Sequence, residues 1–395
     1  MSLYRLVNPV MPYAWGSREA IAALQGRPAS EGPEAELWIG AHPQAPSTLA
    51  SDGRSLTALI AEAPRETLGS RIVDRFGNRL PFMLKVIAAA QPLSLQVHPD
   101  DEQARAGFAR ESALGVDVGD PRRCYRDPYA KPEMVLTLSD FQALLGFRPP
   151  SEALGALSAL AVQALDPVLM ALREGQSTGD VFLRIAEWPY PDRADLVAAV
   201  RAAASSDHDL AWVVELADRY PSDPGVAGAL LLNRLTLAPG QALYVGPGVI
   251  HAYLRGTAIE ILGGSDNVVR AGLTPKHVAI DELRPLLRRE SARPALLEPI
   301  SISDAEEAWS SPRPEFQLSR VRVDGERVVA GADAPEILLC VSGKVEVSGG
   351  DQSIPLGSGE AMFVDANATE LTLVGRGVII RATTGQPAPQ AGHAA

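Results

Sequence analysis

Two distant stretches of this chain follow one pattern, and that repeat constrains the fold more than any other feature. Gly240-Gln241-Ala242-Leu243-Tyr244-Val245-Gly246-Pro247-Gly248 leads to His251, eleven residues after its first glycine. Gly359-Glu360-Ala361-Met362-Phe363-Val364-Asp365-Ala366-Asn367 leads to Glu370, also eleven residues on. Each copy is a glycine, a hydrophobic strand, a turn, then a polar side chain where the next strand begins. That pattern encodes a hairpin corner of a small β-barrel, and two copies imply two barrels. Only the first copy ends in a good metal ligand, so the second barrel is expected to be metal-free.

Between the copies and before them the period changes. With 395 residues the chain has room for two or three domains. From Leu3 to about Phe147 it reads as short strands broken by Gly and Pro, with a helix around Arg18 to Leu24. From Ser151 to about Leu230 Ala and Leu recur at helical spacing, as in Ala194–Val200 and Asp209–Leu216, with Ser151 and Asp192 as candidate N-caps. Strands return at Leu235–Leu237 and persist to about Ile261, and Thr274-Pro275 predicts a helix start. Further on, Glu336–Val341, a tight turn at Ser342-Gly343 and Lys344–Val347 predict a hairpin. The fold expected is mainly β with an α-helical insertion. Residues 1–148 and 231–297 would form one discontinuous barrel, 149–230 the helices, 298–385 the second barrel and 386–395 a flexible tail.

Composition removes several classes of function. The chain is 46% hydrophobic, with no apolar run near the ~20 residues of a membrane span and no apolar leader at its N-terminus. Its two cysteines, Cys124 and Cys340, fit neither a disulfide framework nor a thiolate metal site, and suit a reducing, cytoplasmic setting. A net charge of −12 argues against nucleic acid and anionic membranes as partners. An anionic substrate would therefore need a local cluster of Lys and Arg.

Three strand starts carry chemistry. In Leu93-Ser94-Leu95-Gln96-Val97-His98, alternation puts Ser94, Gln96 and His98 opposite Leu93, Leu95 and Val97. Lys131-Pro132-Glu133-Met134 puts Lys131 and Glu133 on one face, and Gly248-Val249-Ile250-His251-Ala252 turns His251 away from Ile250 and Ala252. A polar face meeting water is the ordinary reading of Gln-x-His alone. Together, two imidazoles, a carboxylate and an amide oxygen suit one divalent ion, zinc by preference, with a position left for substrate. The other histidines read more plainly: His42 in a turn, His208 at a helix start, His277 exposed in a helix's first turn, His393 in the tail. Trp15 and Trp38 read as packing residues.

Gly263-Gly264-Ser265-Asp266-Asn267-Val268-Val269-Arg270-Ala271-Gly272-Leu273-Thr274-Pro275-Lys276 has two readings. One is a surface loop with a turn at Asp266-Asn267. In the other, Arg270 and Lys276 concentrate positive charge for a phosphate, and Asp266 orients Arg270 or acts on a proton. Glu260 alternates away from Ile259 and Ile261, which leaves its inward placement open.

These motifs resemble one family. Tyr13-Ala14-Trp15-Gly16, Glu36-Leu37-Trp38-Ile39-Gly40-Ala41-His42-Pro43, Gln96-Val97-His98-Pro99, Lys131-Pro132-Glu133 and Ser265–Lys276 are similar to the type I mannose-6-phosphate isomerases. The resemblance implies two cupin-like (jelly-roll) barrels and one zinc per chain on Gln96, His98, Glu133 and His251. It implies exchange of mannose 6-phosphate and fructose 6-phosphate, with Arg270 catalytic and Ser94, Lys85, Lys131, Glu260, Asp266 and Lys276 lining the pocket. One departure stands out: many relatives carry a histidine where this chain has Ala130, so ring opening would need another group.

On that reading the proton passes between C2 and C1 through an enediol(ate), with zinc as Lewis acid and Arg270 as added positive charge. Glu260, Asp266 and a water at the metal are open alternatives for the base, and Lys131 and Lys85 would anchor phosphate or relay protons. A monomer suits the domain plan. Competing readings are a related sugar-phosphate isomerase or epimerase, a non-catalytic sugar-sensing cupin, and an iron oxygenase. Arg270, Lys131 and the extra ligand Gln96 weigh against the last two.

Overall fold

The computed structural model describes residues 1–385; the expected tail and His393 lie outside the described residues. The first β-assembly has two antiparallel layers that share one long strand, His251–Gly263. The start of that strand pairs with Leu95–Val97 and Phe141–Phe147, and these continue to Val269–Gly272 and Leu232–Leu237. Its end pairs with Phe82–Ala89 and Glu133–Thr137, which continue to Glu36–Ile39 and Ala242–Val245. The change of layer falls where the register slips between Tyr253 and Arg255 and Gly256 takes φ +118°. A Cβ at Gly256 would sit 2.5 Å from the Asp140 carbonyl oxygen, so the bend is made where only glycine fits.

Both layers are covered on their outer faces, by different partners. Leu95, Val97, Ile250, Ala252, Val269 and Ala271 pack into the core of the helices that run from Pro150–Ala159 to Gly225–Ala229. Leu37, Leu84, Val86, Met134, Leu136, Ile259 and Ile261 share a core with Ile337, Leu339, Phe363 and Ile380 of the C-terminal assembly. The period of two then sends the intervening residues into the space between the layers. Among them are Glu36, Lys85, Glu133, Gln96, His251, Glu260 and Arg270. The helical insertion leaves after Phe141–Phe147 and returns at Leu232–Leu237, two strands paired with each other, so it interrupts the sequence without opening the sheet.

The C-terminal assembly orders its strands as Ile300–Ser301, Glu306–Trp309, Gln317–Ala330, Glu370–Thr383, Glu336–Gly349, Ala361–Val364, then Leu3–Val7 and Thr48–Leu49. The chain's first strand thus pairs with Ala361–Val364, although residues 1–148 were expected in the first barrel. At the centre, buried Arg381 donates to Glu306 and Glu336.

Several local expectations need correction. Ser342-Gly343 is no hairpin turn: Glu336–Gly349 is one strand with a bulge after Cys340, and it turns into Gln352–Gly357 instead. Gly343 (φ +78°) lets the Arg376 carbonyl approach within 2.1 Å of where a Cβ would stand. Thr274-Pro275 does not start a helix, which runs Ile280–Leu286. Leu273 has φ +53°, the Thr274 N–H donates to Asp223, and the Thr274 hydroxyl accepts from Lys276 N–H, which makes a turn. Pro150 opens the first inserted helix in place of a Ser151 cap, and Asp192 holds a cap position without a side-chain bond. Leu93 precedes its strand and packs between the layers, away from Leu95 and Val97.

Candidate active site

Three strands bring the metal-ligand candidates together between the layers. His98 Nε2 lies 3.2 Å from Glu133 Oε1, and His251 Nε2 lies 3.2 Å from Glu133 Oε2. Ligand atoms of the three residues all fall within 4.8 Å of one another, and all three are buried. Each imidazole is fixed from behind: His98 Nδ1–H donates to the Asn267 carbonyl at 2.7 Å and His251 Nδ1–H to the Val249 carbonyl at 3.0 Å. That sets the tautomer with the Nε2 lone pair facing inward. His98 Nε2 has no hydrogen-bond partner although buried, as a metal ligand should before its ion is counted. The Gln96 amide lies 3.3 Å from His251 Nε2, and turning that amide over presents its oxygen.

Electrostatics point the same way. Burial, aided by the Lys131 charge, lowers the His98 imidazole to about 4, which keeps it neutral. Burial alone would raise Glu133, but Lys131 at 3.0 Å and the two histidines hold its carboxyl well below the usual range. Two imidazoles with Nε2 turned inward, beside an ionised carboxylate, make a donor set that fits a borderline divalent cation.

Above this centre opens a cavity of about 830 Å³, lined by Gln96 and Glu133 at its floor and by Ser94, Lys85, Lys131, Glu260, Asp266, Arg270 and Lys276. Every site residue singled out from the sequence is therefore at the centre or on this wall. Glu260 faces inward, buried, with Lys85 at 3.8 Å. Burial first and Glu133 second raise its carboxyl to about 8. Burial would lower the Lys85 ammonium, but Glu36, Glu260, Glu133 and Asp266 outweigh it and hold Lys85 above its ordinary value.

The loop after Glu260 is not the surface turn of the plainer reading. Asn267 is fully buried: its side chain accepts from Arg126 and Asp127 N–H groups and donates to the Asp127 and Tyr129 carbonyls. This knot sets Asp266 and Arg270 against the cavity. Burial and then Arg126 lower the Arg270 guanidinium, while burial, Arg270 and Arg126 lower the Lys276 ammonium. Among the described residues none of these three cations is ion-paired, so the cavity carries an uncompensated positive end in an acidic protein.

Some residues on or behind this wall escaped the sequence reading. Arg126 carried no motif signal. Glu36 and Trp38 line the cavity, Trp38 with its indole N–H on Glu36 and the Lys85 ammonium 5.0 Å from its ring, and Trp15 lines it too. His42 was read as a turn residue, yet its buried ring contacts Asp266. Strand alternation from Glu36 would have found Trp38; His42 had no local signal. His277 is exposed, but ahead of a helix and not within one.

Residues 3–150 match the family described as phosphomannose isomerase type I, catalytic domain, and residues 311–384 match the mannose-6-phosphate isomerase cupin domain. Mannose-6-phosphate isomerase of Escherichia coli K12 is 35% identical over 392 residues, 96% of this chain and 99% of that protein. This chain belongs to the type I phosphomannose isomerase family. The human mannose-6-phosphate isomerase is 30% identical over 92% of this chain and 94% of its own length. A crystal structure of a zinc-bound mannose 6-phosphate isomerase superposes with TM-score 0.90 at 33% identity, covering 98% of this chain and 100% of that one. The apo form from Salmonella typhimurium agrees equally well, with TM-score 0.90. The fold is accordingly that of a cupin with a helical insertion and a second cupin-like barrel. At the point of departure, Ala130 is buried and Tyr129 turns outward beneath the Arg79 guanidinium, 3.6 Å from the ring centroid.

Proposed function

We propose that this chain interconverts mannose 6-phosphate and fructose 6-phosphate, and that Gln96, His98, Glu133 and His251 hold the one zinc it needs. The observation that carries the reading is the inward convergence of His98, Glu133 and His251 beneath a cavity whose wall carries the cations Arg126, Arg270 and Lys276. When bound, the ion supplies Lewis acidity to the sugar's carbonyl and hydroxyl oxygens.

The protein's own groups do the rest. Arg126 and Lys276 hold the phosphate, and Arg270 lies opposite Gln96 in the strand register, close to the reacting oxygens. Glu260 in its ionised form, made a stronger base by burial, takes the proton from C2 and returns it to C1. Lys85 beside it keeps the charge of that exchange in balance. Asp266 and Lys131 serve the hydroxyl protons as the ring opens, and Ser94 lines the sugar. A monomer working in the cytoplasm belongs to the same reading.

A coupled assay for fructose 6-phosphate from mannose 6-phosphate tests it, run before and after a chelator and after zinc is returned. Activity should vanish and come back. Arg270→Ala should lose about 10²- to 10³-fold in turnover with its metal retained, because Arg270 is no ligand. His251→Ala should lose both metal and activity. Full turnover by metal-stripped protein would refute the reading.

A further inference from the structure

Asp266 presents a partly exposed carboxylate to the cavity, and both its oxygens lie 3.0 Å from His42 Nε2. The other ring nitrogen, Nδ1, accepts the Gln44 backbone N–H at 3.2 Å. A nitrogen that accepts carries no proton in a neutral ring, so Nε2 holds the hydrogen and donates it to the carboxylate. The ring is itself locked. It is buried edge-on against Trp38, with centroids 4.5 Å apart, and the turn beneath it closes through Ser47 N–H to the Gly40 carbonyl at 2.8 Å. From the other side the Asp266 N–H donates to Asp127 at 2.8 Å.

Asp266 thus has its backbone tied to one segment and its side chain to another, far away in sequence. Lys85 and Lys131 lie close enough to attract the same carboxylate electrostatically. Without a donor at His42, Asp266 would be free to turn towards them. We infer that His42 is a positioning residue: its Nε2–H holds the Asp266 carboxylate on the cavity wall, in the orientation that meets the sugar. The inference rests on the function proposed above, and it concerns a residue outside the cavity lining that acts through Asp266.

The test compares parent, His42→Gln, His42→Leu, Asp266→Asn and the His42→Leu/Asp266→Asn double variant, each loaded with zinc and checked for bound metal. His42→Leu should lose about ten- to a hundredfold in kcat with KM nearly unchanged and zinc retained, since misplacing a reacting group costs rate before binding. Gln carries an amide nitrogen where Nε2 stands, so His42→Gln should recover to within about fivefold of the parent. On top of Asp266→Asn, the His42→Leu change should cost less than about twofold, because both act through one contact. Should His42→Leu not fold, His42→Asn replaces it, with its N–H too short to reach Asp266. Equal losses in both backgrounds, equal losses for Gln and Leu, or a fully active His42→Leu would overturn the inference. A zinc-loaded parent with no isomerase activity would sink the function reading and take this inference with it.

Discussion

Glu260 shows how a single residue's behaviour follows from the faces it lies between. Its strand neighbours Ile259 and Ile261 are buried against the C-terminal assembly, so the period of two forces the carboxyl inward, beside Lys85 and near Glu133. Burial and Glu133 raise it to about 8 from the model-compound value of 4.5. The sign of the stability effect follows. Between those values the unfolded chain has lost the proton while the native carboxyl still holds it, so native stability falls as pH rises. In metal-stripped protein, denaturant midpoints should decline from about pH 4.5 to about pH 8 more steeply than in Glu260→Gln. Equal slopes would mean Glu260 ionises normally. At this scale the inward placement of the ligand candidates Gln96, His98, Glu133 and His251 was legible, because alternation sorts polar from apolar side chains without knowing what lies across the barrel. His42 and Arg126 were not, since their partners, Asp266 and the Arg270–Lys276 cations, are distant in sequence.

The strand His251–Gly263 ties the two layers together and carries a metal-ligand candidate at one end and Glu260 near the other. Its bend at Gly256 combines φ +118° with a Cβ position 2.5 Å from the Asp140 carbonyl oxygen. Gly256→Val should therefore cost about 2–4 kcal/mol and weaken zinc retention, since the bend aims His251. Gly325 makes the control: at φ +87° with open space around it, Gly325→Ala should cost only about 1 kcal/mol and leave zinc untouched. Urea midpoints and metal content check both; equal costs would show that crowding at Gly256 is relieved elsewhere. Two of the failed readings at this scale share a cause. Ser342-Gly343 looks like a hairpin turn and Thr274-Pro275 like a helix start, but tertiary partners claimed both, the ladder to Glu370–Thr383 at Ser342-Gly343 and Asp223 at Thr274. Local turn chemistry competes with tertiary hydrogen bonds, and here the tertiary bonds won.

For the whole molecule, the site is enclosed by two layers whose outer faces are each pressed inward, one by the inserted helices and one by the C-terminal assembly. No helix among the described residues is long and apolar enough to cross a membrane. A cation drawing on both layers at once should act as a clamp between them. At zinc about a thousandfold above its dissociation constant, the folded state should gain about 4 kcal/mol. Scanning calorimetry should show a lower melting temperature after chelation, restored by zinc. An unchanged melt in protein shown to be metal-free would mean the layers are held without the ion.

What the sequence by itself determined was everything periodic or contiguous: β on either side of a helical insertion, the strand faces, the four ligand candidates and the motif blocks of the family. Those features follow from side-chain alternation and local backbone preference, which need no partner. What only the tertiary structure decided was which distant segments meet. It placed Leu3–Val7 in the C-terminal sheet, Arg126 beside Arg270, and His42 against Asp266. Such pairings follow from how the layers close over one another, and nothing in the local sequence of either partner records them.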